Sequence, residues 1–163
     1  MLHLILHRIP PPLHRQLYRM AYFVRSAWWR MLKPTVHGCR VVALDDEGRV
    51  LLIRQTYGPR HWVTPGGSVE RHEDPVLTAH RELAEETGCS LSAARKVMQV
   101  LERPMGAYNQ VHVVVGRAGG VLRPDRREVA EAQWFALDGL PDDIAPRIRA
   151  GLPDWVAAYN SES

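Results

Sequence analysis

GSVERHEDPVLTAHRELAEETGC, Gly67 to Cys89, is the stretch on which the reading of this chain turns. Asp74-Pro75 joins an N-capping side chain to a proline at the first helical position, and Gly88 supplies a stop. A helix of about a dozen residues is expected between them. Glu82, Glu85 and Glu86 then share one arc of roughly 100°. Val76, Leu77, Leu83 and Ala84 are expected to face a core. Three carboxylates on one helical face repel each other, and the macrodipole disfavours them near the C-terminal end. Such a face calls for a compensating cation, and a hard divalent ion with oxygen ligands, Mg²⁺ above all, suits it. Pro65-Gly66-Gly67 makes a turn whose backbone can approach a ligand closely. Arg81 is placed to pair with Glu73 or Glu85.

Written as spacing, the stretch is G-x5-E-x7-R-E-L-x-E-E-x-G-C. It resembles the Nudix box, G-x5-E-x7-R-E-U-x-E-E-x-G-U, where U is a bulky aliphatic residue. Cys89 stands at the last U, and His72 stands where many members carry glycine. The resemblance covers roughly residues 36–137 and implies an α/β/α sandwich around a mixed sheet. It also implies hydrolysis of a nucleoside diphosphate linked to a moiety X, giving a nucleoside monophosphate and phospho-X. Mg²⁺ is the implied metal, with Mn²⁺ as a substitute. By the same resemblance Glu82 is base or metal-bridging residue, Glu85 and Glu86 are ligands, and the Gly66 carbonyl is a further ligand. Arg81 would orient the acids and Glu73 brace the loop. Glu128, six residues before Trp134, would supply another ligand or the base, with Glu131 the lesser candidate. Arg60, Tyr108 and Gly67 are the candidate substrate contacts. A nucleotide-sensing module without turnover is the alternative, although such modules usually lose box acids and none is lost here. An isomerase or glycosylase on a related scaffold is a second alternative, which would need extra acid, cysteine or DNA-binding features. Cys39 and Cys89 do not read as reactive, and a DNA reader should carry basic charge in the catalytic body.

The remaining sequence frames that centre. Cys39 and Cys89 lack metal-site spacing and lie in apolar runs, which suits reduced, structural thiols and a cytoplasmic setting. No apolar stretch approaches the roughly 18 residues of a membrane span. Residues 1–44 hold seven Lys/Arg and no acid, whereas the rest holds 14 Lys/Arg against 18 Asp/Glu. Basicity confined to one segment argues against nucleic acid as the partner and for a separate role of that segment. The domains are therefore read as a basic helical extension, 1–34, and a catalytic domain with helical tail, 35–163.

Within the extension, Leu13, Leu17, Met20, Ala21, Val24, Ala27, Trp28, Met31 and Leu32 form one side of an amphipathic helix. Arg15, Arg19, Arg25, Arg30, Tyr18, Tyr22 and Trp29 take the other. The catalytic domain, a second subunit in a homodimer or an anionic membrane surface could cover the stripe, and protein cover is the expectation. Beyond Pro34, Cys39–Leu44 and Arg49–Arg54 read as a hairpin around Asp45-Asp46-Glu47-Gly48. Trp62 is expected to pack beneath the glycine turn, and Arg60 and His61 to lie in the loop before it. Arg95–Arg103 and Gln110–Arg117 read as strands, with Tyr108 and Asn109 in their connecting loop and His112 as a cross-strand histidine. Glu128–Ala136 carries the last strand. Ile144–Ala150 and Asp154–Tyr159 read as helical pieces divided by Pro153.

Overall fold

The computed structural model describes residues 31–104 and 107–161, with Met20, Ala21, Val24, Ala27 and Trp28. Among the described residues six strands and two helices follow Pro34. They are β1 (Thr35–Leu44), β2 (Val50–Gln55), β3 (Trp62–Val63), α1 (Pro75–Thr87), β4 (Ser90–Glu102), β5 (Tyr108–Gly119), β6 (Val129–Phe135) and α2 (Pro146–Ser161). The sheet runs β3-β2-β1-β5-β4, and β6 pairs with β2. β1 and β5 are parallel over ten rungs and the other pairs are antiparallel. This is the expected mixed sheet.

The period-2 alternation of the strands produces the layers. Val42, Leu44, Leu52, Val113 and Val115 face α2, where they meet Ile148, Leu152 and Trp155. Cys39, Val41, Ala43, Leu51 and Val114 face α1, where they meet Ala79 and Leu83. Both faces are covered, so β1 and β2 read as continuous apolar runs. The β1–β2 turn closes on Asp45, whose Oδ1 accepts from the Glu47 and Arg49 amides.

Between β1 and β2 the sheet opens, and the segment from β3 through the glycines fills the gap. Trp62 and Val63 pair with β2, and then Pro65 and Gly67 accept hydrogen bonds from the Val41 and Cys39 amides of β1. The turn that the acids need is thereby fixed to the centre of the sheet.

Several local expectations change. β4 begins directly after the helix at Ser90 and carries irregularities near Ser92 and Lys96, with Ala93 at φ 46°. Those bulges break the alternation that the sequence would otherwise display. Tyr108 and Asn109 lie within β5, paired with Thr35 and Val36, and not in a loop. The tail is one helix with Pro153 inside it. Its buried face, Ile148, Leu152, Trp155, Val156 and Tyr159, carries it past the lost hydrogen bond. A Cβ at Gly151 would overlap the Trp155 ring, so glycine lets that ring lie over the helix. Trp62 is buried on the α2 side, edge-on to Phe135 and under the Arg54 guanidinium, and so does not lie beneath the glycine turn.

In the extension, the described positions Met20, Ala21, Val24, Ala27, Trp28, Met31 and Leu32 are helical and all exposed. The catalytic domain therefore does not cover this part of the stripe. Leu13, Leu17 and the basic and aromatic positions assigned to the opposite side lie outside the described residues.

Candidate active site

Helix α1 is built at its ends as the sequence indicates. Asp74 accepts from the Val76 amide, Pro75 opens the helix, and Gly88 closes it at φ 73°. Leu83 and Val76 face the core as expected, but the rest of its inward face differs. The buried residues are Thr78, Ala79, Leu83, Glu86 and Thr87, whereas Leu77 is 62% exposed and Ala84 is also exposed. Ala79, Leu83 and Glu86 fall on one arc at 100° per residue, opposite Leu77 and Ala84. The acidic face thus overlaps the buried one.

That overlap sets the electrostatics. Glu86 is only 6% exposed, and its Oε2 accepts from the Gly66 amide at 3.1 Å. Burial pushes its carboxyl well above the usual range, against the Gly66 amide and with the charges of Glu82, Glu128 and Asp125 adding to the rise. Glu82 is also raised, first by burial, then despite Arg81 and with the help of Glu85 and Glu128. Arg81 Nη1 lies 2.7 Å from Glu82 Oε1 and 3.7 Å from Glu85 Oε2. Its Nε and Nη2 reach Glu73 at 3.4 Å. Burial works against the Arg81 charge, but Glu73 and Glu82 outweigh it and raise its pKa. The Glu70 amide holds Glu73 low, more than burial lifts it, and Arg81 adds to that lowering.

The glycines bring the turn onto the same acids. A Cβ on Gly66 would overlap the Cys39 carbonyl oxygen, and one on Gly67 would overlap the Glu82 carboxylate. Gly67 is thus a contact of Glu82.

Glu128 comes from the other end of the chain. Asp125 Oδ1 accepts from the Arg127, Glu128 and Val129 amides, an arrangement that folds the loop before β6. The Asp125 amide donates to the Glu86 carbonyl, and the Arg123 amide to that of Thr87. On the far side, Thr56 donates its amide to Glu128 and its hydroxyl to Arg127. The loop is tied at both ends, and the Glu128 charge reaches Glu82 and Glu86. Glu131 instead pairs with Arg54 at 3.6 Å. Asp125 and Thr56 are the positioning residues that the sequence reading passed over. The signal for Asp125 was an aspartate two to four residues ahead of the amides it caps.

Other candidates lie elsewhere. Arg60 is exposed on the loop between β2 and β3. Tyr108 stands at the start of β5 with its ring under the Arg103 guanidinium, 4.7 Å away. His112 stacks on His37 across the β1–β5 pair, a cross-strand histidine as expected. A cleft of about 640 Å³ opens beside the site, lined by His37, Ser68, His72, Glu73 and His112 but not by Glu82, Glu85 or Glu86.

The donor set is all oxygen and anionic, which fits a hard divalent cation. Among the described residues no three His, Cys, Asp or Glu side chains already enclose an ion position. Arg81 holds Glu82, and so competes with any cation for it.

Cys39 lies beneath this centre, its Sγ donating to the Pro75 carbonyl at 3.3 Å. Its thiol is pushed up to about 12, by burial first and then by Glu82 and Glu73, with Arg81 and Arg40 opposing. At pH 8 only about one thiol in 10⁴ would be ionised, against about a quarter for a free cysteine. Both cysteines are buried. A thiol reagent should therefore label the native protein at least about 100-fold more slowly than the unfolded chain. Prompt labelling of folded protein would refute the inert assignment.

The NUDIX domain family matches residues 35–156. NAD-capped RNA hydrolase NudC of Vibrio atlanticus (strain LGP32) is 32% identical over 119 residues, 69% of this chain and 42% of that protein. ADP-ribose pyrophosphatase of Bacillus subtilis (strain 168) is 33% identical over 100 residues, 60% of this chain and 54% of that protein. The chain thus spans about half the length of these relatives. The crystal structure of a MutT NUDIX hydrolase from Burkholderia pseudomallei superposes with a TM-score of 0.65 at 29% identity, covering 73% of this chain and 96% of that one.

Proposed function

This chain belongs to the Nudix family, and from that premise we propose that it is a metal-dependent pyrophosphohydrolase acting on a nucleoside diphosphate linked to a second moiety. The products are a nucleoside monophosphate and phospho-X. The observation that carries this reading is Glu86, a carboxylate withdrawn from water with Glu82 and Glu128 close enough to raise it further. Arg81 reaches Glu73, Glu82 and Glu85, and leaves Glu86 with a backbone amide. Buried like charges are costly without a shared cation. The names of the relatives agree, because NAD and ADP-ribose are both nucleoside diphosphates carrying a second group.

Glu82, Glu85, Glu86, Glu128 and the Gly66 carbonyl would hold Mg²⁺, with Mn²⁺ as a substitute. Bound there, the ion supplies positive charge for the diphosphate oxygens and for activation of water. The chain's own residues do the rest. Gly66 and Gly67 bring backbone against the acids, and Arg81 fixes Glu82 while Glu73 braces the loop. Glu82 and Glu128 are the acids that would take a proton.

The test is a panel of nucleoside diphosphate derivatives with Mg²⁺, reading monophosphate release. Turnover of at least one, lost in EDTA, is expected. Tight nucleotide binding without turnover would favour a sensing module. A second check concerns Glu128→Gln, which leaves the backbone bonds to Asp125 and Thr56 in place. It should lower kcat by about 10²-fold or more while stability stays within about 0.5 kcal/mol. Glu131→Gln is the control, and greater sensitivity there would overturn the assignment.

A further inference from the structure

The feature that catalysis leaves unused is the helical stripe before β1. Met20, Val24, Trp28, Met31 and Leu32 are 64%, 68%, 57%, 77% and 56% exposed. Their spacings of four, four, three and one place them on one side of a helix. Monomeric proteins seldom leave such a patch bare, so a cover for it is expected.

Charge selects the occupant. Before Thr35 the sequence has six Lys/Arg and no Asp or Glu. A symmetric pairing of two copies through this stripe would bring two wholly basic segments together, with no acid in either to offset them. An anionic bilayer offers apolar depth for the stripe and counter-charge for the arginines at once. Trp28, on the stripe, is a side chain suited to the headgroup boundary. Among the described residues no helix is long and apolar enough to cross a membrane.

We propose that the helix carrying Met20, Val24, Trp28, Met31 and Leu32 docks this protein on an anionic lipid surface, apolar stripe inward and basic charge on the headgroups. Only Lys33 and Pro34 separate Leu32 from β1, so docking would hold the catalytic domain close to the bilayer. The inference does not rest on the hydrolase reading, and its readout is lipid binding alone.

The experiment is flotation of the full chain with vesicles. One set is phosphatidylcholine and the other an equal mixture with phosphatidylglycerol. Each is run at 0.1 M and 1 M salt, where the Debye length falls from about 10 Å to 3 Å. The expected result is flotation with the anionic vesicles at low salt, falling at least about tenfold in high salt or on neutral lipid. Val24→Glu with Trp28→Glu should abolish it at an unchanged melting temperature. Reversing Arg25 and Arg30 to Glu, which spares the stripe, should weaken it. Equal flotation with neutral vesicles would overturn the proposal. So would the absence of flotation, whether or not sedimentation then shows a dimer that the stripe variant dissolves.

Discussion

Glu86→Gln is expected to lower kcat by at least about 10²–10³-fold, the scale of losing one electrostatic stabiliser of a transition state. Its melting temperature in EDTA should equal or exceed that of the parent. The two effects have one cause. The Glu86 carboxylate is removed from water and carries a charge that the fold disfavours, as its raised pKa records. Glutamine keeps an oxygen for the Gly66 amide, so the turn is not released. What disappears is the charge, which burdens the metal-free fold and which a divalent ion needs. Stability and activity should therefore move in opposite directions. Parental turnover in the variant, or parental turnover in EDTA, would show that the site does not work through a cation. A large fall in melting temperature would show instead that Glu86 is a packing residue.

The parts of this site legible in the sequence are those with local causes. Asp74, Pro75 and Gly88 cap the helix through their own backbone preferences, and the acids keep their spacing whatever surrounds them. On the inward face of α1 apolar character is only half the marker: Leu83 is buried and Val76 packs on the core as expected. Leu77 and Ala84 lie outward, and the inward arc is completed by Glu86, Thr78 and Thr87. A buried glutamate inverts the usual pattern, and such inversions mark functional sites. The place of Tyr108 depends on its pairing with Thr35 at the start of β1, a contact between segments far apart in the chain that no local pattern encodes. Pro153 read as a break because only tertiary packing of Leu152, Trp155 and Val156 carries the helix through it. Glu128 could be singled out by its spacing from Trp134. Its approach to α1 needed Asp125 and Thr56, contacts that no local pattern encodes.

The two glycines of the turn should fail in different ways. At Gly66 the φ is 151°, and an added Cβ would overlap the Cys39 carbonyl oxygen, a backbone atom inside the central strand. Nothing there can give way without moving β1, which is fully buried at Val41 and Val42. Gly66→Ala should therefore cost about 2–6 kcal/mol, summing backbone strain and overpacking. It should also draw the Gly66 amide from Glu86 and remove activity along with the fold. At Gly67 the neighbour is the Glu82 carboxylate, the far end of a flexible side chain that can swing aside. Gly67→Ala should leave the melting temperature within a few degrees of the parent. It should nonetheless lower kcat, because Glu82 is displaced from its place beside Arg81. Thermal melts and steady-state rates on the pair separate the two roles. Equal loss of stability in both variants would mean that the turn is one rigid unit and that Glu82 is as fixed as the β1 backbone.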